Sequence, residues 1–101
     1  MSERSDRNPI RRPLARVISE VLHYVWDPIE IAGLPQARDE YETYVPGVLA
    51  LLLSGASEAE LSHHLQMLAE ERMGLSQVAE RADDAALTLV EWRSYLGESH
   101  A

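Results

Sequence analysis

Glu60, His63 and His64 are the residues of this chain best suited to holding a metal ion, because a carboxylate and an imidazole four apart share one helix face. A metal site needs three or four convergent ligands, and the sequence contains no His-Glu-x-x-His pattern to extend the pair. His23 could join only through the tertiary fold, and His100 lies at the far end of the chain. The expectation is exposed histidines on a helix, with no metal and no cofactor. Nucleophilic chemistry has less support still. Cysteine is absent, the serines form no nucleophile elbow, and no triad with a suitable base can be assembled. The five glycines are scattered, so no loop is built to cradle phosphate. No catalytic residue is predicted, and the chain reads as non-catalytic.

Two other groups could recognise a partner. In the first, Asp39, Glu40 and Glu42 surround Tyr41, and Tyr44 follows on the same helical face. Carboxylates at a helix start are favoured by the partial positive charge there, so these residues can be caps beside two half-buried tyrosines. They can equally form an acidic–aromatic patch for a basic protein, with tyrosine supplying contact area and carboxylate supplying complementary charge. The second group is the Trp26-Asp27-Pro28 corner. Asp27 can accept backbone N–H bonds in the following turn and Pro28 stiffens it. Trp26 brings a large apolar surface and one N–H that needs a partner. The corner is either a helix stop pinned by a buried indole or a recognition surface. The candidate partner-binding residues are thus Asp39, Glu40, Tyr41, Glu42, Tyr44, Trp26 and Asp27.

Charge narrows the choice of partner. All nine basic residues are arginine, and the net charge is −8. Residues 1–16 hold Arg4, Arg7, Arg11, Arg12 and Arg16 against Glu3 and Asp6, a net of +3, which leaves −11 on the remainder. An acidic body disfavours the phosphate backbone of a nucleic acid. It suits solubility or a basic protein. The arginine cluster has no interleaved aromatics and reads as a solvated tail or, alternatively, as a contact for nucleic acid or an acidic partner. The longest apolar run, Val48 to Leu53, is far below the roughly 18–20 residues of a membrane span. No secretory signal is visible, and a cytoplasmic location is expected.

The elements that position these residues are helical. Residues 1–8 are expected to be a mobile tail, 9–97 one helical domain and 98–101 a second tail. Leu14, Val17, Ile18, Val21, Leu22 and Val25 recur at helical spacing and predict a first helix over about 13–25, with Arg16, Ser19, Glu20 and His23 on its opposite face. Pro28 stops it, and 27–36 reads as a structured loop. A second helical region over 37–54 is interrupted at Pro46, giving a kink or break, and ends at Gly55. Ser57-Glu58-Ala59-Glu60 is a capping box for a third helix over about 58–73, with Leu61, Leu65 and Leu68 inward and Gly74 and Leu75 at its stop. Ser76 can cap a fourth helix, about 77–96, whose stripe is Val78, Ala82, Ala85, Leu89, Trp92 and Leu96, closed by Gly97. The expected fold is all-α, a small four-helix bundle with a Pro-kinked or broken second helix, its consecutive helices packed as antiparallel neighbours.

Three segments together carry a resemblance: Trp26-Asp27-Pro28-Ile29, then Ala37-Arg38-Asp39-Glu40-Tyr41-Glu42-Thr43-Tyr44-Val45-Pro46, then Glu71-Arg72-Met73-Gly74-Leu75. In this order they resemble an uncharacterised family of small bacterial helical proteins marked by a Trp-Asp-Pro-Ile-Gly stretch, over about residues 17–75. Glu30 stands where that family usually has glycine. The resemblance implies a helical fold and no established activity.

The functional expectation is a small acidic protein-binding domain, in its most concrete form an immunity- or antitoxin-type inhibitor that covers a basic partner. Colicin-nuclease immunity proteins offer an analogy of size and charge. The alternative is a homo-oligomeric regulatory or accessory protein, paired through the Tyr41/Tyr44 region or the Trp92 face. Neither nucleic acid nor membrane is an expected partner.

Overall fold

The computed structural model describes residues 9–27, 41–74 and 79–99. Among these, every regular element is helical: α1 spans Arg11–Val21 and passes into a π-helical turn at Leu22–Trp26, α2 spans Val45–Leu53, α3 Glu58–Met73 and α4 Ala79–Ser99. The fold is all-α. No helix among the described residues is long and apolar enough to cross a membrane.

Helix α1 begins two residues earlier than its apolar stripe requires, with Pro13 in the first turn. That turn's N–H groups have no acceptor inside the helix, so a missing donor is tolerated there. Leu14, Ile18 and Val21 face the core. The winding then widens, and the N–H of Asp27 reaches the carbonyl of Leu22, five residues back, at 3.0 Å. The wider turn shifts the buried face by one residue. Trp26 goes inside where Val25 is expected, and His23, expected on the opposite face, is 2% exposed. Regular α spacing carries no sign of this shift, which corrects the outward placement of His23.

Helix α2 starts late. Tyr41 and Glu42 are helical, Thr43 and Tyr44 form a turn, and Pro46 is the second residue of the helix proper. Its absent N–H again falls where no intrahelical acceptor exists. Residues 37–40, the start of the expected second helical region, lie outside the described residues. Val48, Leu49 and Leu52 are buried.

Helix α3 has the expected capping box. Ser57 Oγ accepts the Glu60 N–H at 3.1 Å, and Glu60 Oε1 accepts the Ser57 N–H at 2.8 Å. It ends at Gly74 with φ of 69°, a left-handed conformation that glycine adopts without a Cβ clash. Leu61, Leu65 and Ala69 are buried, whereas Leu68 is only partly so. Leu75, Ser76 and Val78, and with them the proposed stop contact and cap, lie outside the described residues.

Helix α4 buries Ala82, Ala85, Ala86, Leu89 and Leu96 against α3 and α1. Two expectations fail along it. Trp92 is 41% exposed rather than part of the stripe. Gly97 does not close the helix, which continues to Ser99. Three small residues at the contact let neighbouring helices approach closely, and an indole at the margin of such a contact is pushed outward.

Polar stitches fix the helices in place. Ser62 Oγ donates to Asp83 Oδ1 at 2.5 Å, joining α3 to α4, and Gln66 Nε2 donates to Ser62 Oγ at 3.0 Å. Arg93 Nη1 donates to the carbonyls of Leu52, at 3.2 Å, and Ala56, at 2.8 Å, tying α4 to the end of α2. Arg81 Nη1 donates to the carbonyl of Asp27 at 2.6 Å, tying the start of α4 to the end of the π turn.

Candidate docking surface

The Trp26-Asp27 corner and the Tyr41–Tyr44 segment meet inside the fold. Trp26 and Tyr41 are fully buried, with ring centroids 5.6 Å apart, and Tyr44 presents its ring edge-on to Trp26 at 6.1 Å. The Tyr41 hydroxyl donates to Asp27 Oδ1 at 2.8 Å. Asp27 itself has φ of 26°, outside the right-handed region. Aspartate tolerates this better than most residues, and the residue before a proline is already excluded from helical geometry. Trp26 Nε1 has no hydrogen-bond partner among the described residues.

Beside this hub, His23 donates its Nδ1–H to the carbonyl of Ser19 at 2.5 Å and meets the edge of Tyr41 at 5.4 Å. Glu42 is exposed, accepts the Ser19 hydroxyl proton and lies 3.9 Å from His23 Nδ1. Asp39 and Glu40 lie outside the described residues. Of the sequence-derived candidates, Trp26 and Tyr41 therefore spend their surface in the core, Asp27 holds Tyr41, Tyr44 is half-buried, and Glu42 reaches solvent.

The exposed aromatic surface is elsewhere. Tyr24 is 64% exposed on the π turn, and Trp92 and Tyr95 are 41% and 60% exposed on α4. Trp92 flanks a groove between α1 and α4 lined by Val17, Glu20, Val21, Tyr24 and Val25. Further along α4, Glu91, Trp92 and Tyr95 line a second recess of about 240 Å³. In it the indole and phenol rings stand edge to face at 5.5 Å and 89°. Leu87 adds exposed apolar surface on the same helix.

The fully exposed charges of α4 are acidic. Helix α4 carries Glu80, Asp83, Asp84, Glu91 and Glu98, all exposed. Its two arginines, Arg81 and Arg93, are turned onto backbone carbonyls. The solvent face of α4 therefore presents carboxylates next to aromatic rings. Sequence reasoning missed Tyr24 and Tyr95, and it set Trp92 in the buried stripe while also offering the Trp92 face as an oligomer interface. The available signal was the i, i+3 spacing of Trp92 and Tyr95 beside Glu91, together with the alanines of the buried stripe, which leave little room for an indole.

The histidine region is different. Leu51, Ala59, Glu60, His63, His64 and Met67 line a shallow apolar groove. Burial, and secondarily the neighbouring His63, holds the His64 pKa below the usual histidine value. The Ser57 backbone N–H, and then its hydroxyl, hold Glu60 below the usual glutamate value. Among the described residues no three histidine or acidic side chains are grouped to hold a metal ion.

No protein-family model, curated protein or solved structure matches this chain.

Proposed function

We propose that this chain is a non-catalytic acidic domain that binds a basic protein, with an immunity- or antitoxin-type inhibitor as the most concrete form. One observation carries the reading: Trp92, Tyr95 and Tyr24 are exposed on a surface whose fully exposed α4 charges are five carboxylates. Aromatic side chains are the residues most enriched at protein–protein contacts, and a single sign of charge selects the partner's sign. The presenting fold is a four-helix bundle whose second helix is interrupted ahead of Pro46. Glu42 and Tyr44, with Asp39 and Glu40 beside them in sequence, supply a second acidic–aromatic edge. Trp26, Asp27 and Tyr41 hold that edge in place from within. The chain's partial match to the Trp-Asp-Pro-Ile family pattern is compatible with this reading and adds no activity to it.

Affinity capture with the wild-type chain and with a Trp92→Ala/Tyr95→Ala variant tests it. Captured proteins are identified by mass spectrometry, and the leading candidate is purified and titrated calorimetrically at low and high salt. The expected result is a basic protein, bound stoichiometrically, weakened by salt and lost with the double variant. Binding indifferent to salt and to these residues overturns the reading.

The homo-oligomer remains the second reading, favoured by the opposite charges of residues 1–16 and the rest of the chain. It requires a solution mass of at least twice 11.4 kDa. A monomer across micromolar concentrations in sedimentation removes it.

A further inference from the structure

We infer that the recess formed by Glu91, Trp92 and Tyr95 seats an arginine side chain of the partner. This rests on the protein-binding reading above and adds the chemistry of the anchor. The rings stand at 89° to one another, both line the same recess, and Glu91 lines it with them. A guanidinium is planar and weakly hydrated. It can lie on an aromatic face while its N–H fork reaches a carboxylate. An ammonium group makes only the point-charge contact.

The surroundings reinforce the sign. Glu20 lies on the α1 side of Trp92, with Arg16 one turn before it, and the part-buried Arg81 and Arg93 of α4 donate to backbone carbonyls. Charge also argues against a second copy of this chain packing the same face onto itself. Such a pairing brings Glu91 and Glu98 of each copy toward like charges.

The probe is a blocked helical peptide bearing two arginines one turn apart beside leucines, with lysine and citrulline versions of the same sequence. Binding to the full chain is followed by calorimetry and by the Trp92 indole N–H resonance, assigned with Trp92→Phe. The arginine peptide is expected to bind best and shift that resonance, and the citrulline peptide to lose binding. Trp92→Leu and Glu91→Gln are each expected to weaken the arginine peptide about two- to fivefold while leaving thermal unfolding unchanged.

Equal binding of all three peptides, or insensitivity to both substitutions, overturns the arginine seat. If a basic partner is still captured in that case, the acidic-domain reading survives without it. If the peptide binds as expected but no basic protein is captured, the seat stands and the wider reading falls. Self-association abolished by Trp92→Leu would replace the foreign partner with a second copy and overturn the inference.

Discussion

The Tyr41 hydroxyl reaches Asp27 Oδ1 across 2.8 Å, joining residues fourteen apart in the chain. The bond ties the end of the first helical segment to the start of the second. Arg81 reaches the carbonyl of the same Asp27 from α4, so one residue in an unusual backbone conformation collects three parts of the molecule.

Removing the hydroxyl should expose how much this junction contributes. Tyr41→Phe keeps the buried ring and deletes the donor, at an expected cost of about 1–3 kcal/mol in urea unfolding. Asp27→Ala should cost a similar amount. The double variant should fall short of the sum, because the two residues share one interaction. Additive losses would mean that the bond contributes nothing of its own.

The two tryptophans should behave oppositely. Trp26 is fully buried, and Trp26→Ala should cost about 3–5 kcal/mol. Trp92 is 41% exposed, so Trp92→Ala should have a much smaller effect on unfolding while acting on partner binding. Leu89, fully buried one turn before Trp92, should cost about 2–5 kcal/mol when changed to alanine. A destabilised Trp92→Ala variant beside a neutral Leu89→Ala variant would reverse the assigned faces of α4.

The capping box predicts a pH dependence with a definite sign. The Ser57 N–H and hydroxyl hold the Glu60 pKa below its usual value of 4.5. A carboxylate with a depressed pKa in the folded state contributes stability above its unfolded pKa and loses it as pH falls through the folded value. Ser57→Ala should cost about 0.5–2 kcal/mol at neutral pH. The difference from wild type should shrink in acid, below the ordinary glutamate range. Glu60→Gln should flatten the stability profile across that range, and an unchanged profile would show that Glu60 is not part of the cap in solution.

His64 acts in the same direction at higher pH. Burial, then His63, lowers its pKa from the usual 6.5, so the unfolded chain takes up this proton first as pH falls. Its contribution is complete above about 6.5 and fades as pH drops through the lower folded value. His64→Gln should flatten the stability profile across that window. His63→Ala removes only the secondary cause and should raise the His64 pKa in an NMR titration without restoring it. A His64 titrating at the ordinary value would contradict its partial burial.

Much of the helical frame was written locally. Ser57 and Glu60 form their box, Gly74 takes the left-handed stop, and Leu61, Leu65, Ala82, Ala85 and Leu89 face inward as their spacing indicates. These signals operate within one or two turns, so neighbouring residues are enough to produce them. The paired aromatic residues were not legible in this way. Trp92 fits a buried stripe by spacing yet faces outward, Trp26 falls just past a stripe that ends at Val25 yet is buried, and Tyr24, Tyr41 and Tyr95 are chemically alike.

What the sequence alone determined is the all-α class, the ends of α3 and the aliphatic and alanine positions that α3 and α4 bury at Leu61, Leu65, Ala82, Ala85, Leu89 and Leu96. Only the tertiary structure decided which aromatic side chains line that core and which face outward. The π turn rotates Trp26 and His23 inward, Tyr41 closes over them, and the alanine contact of α4 leaves Trp92 outside beside Tyr95. An indole or phenol gains from burial on either side of a helix. Its final place depends on the space a distant element leaves opposite it, and no spacing within its own segment records that.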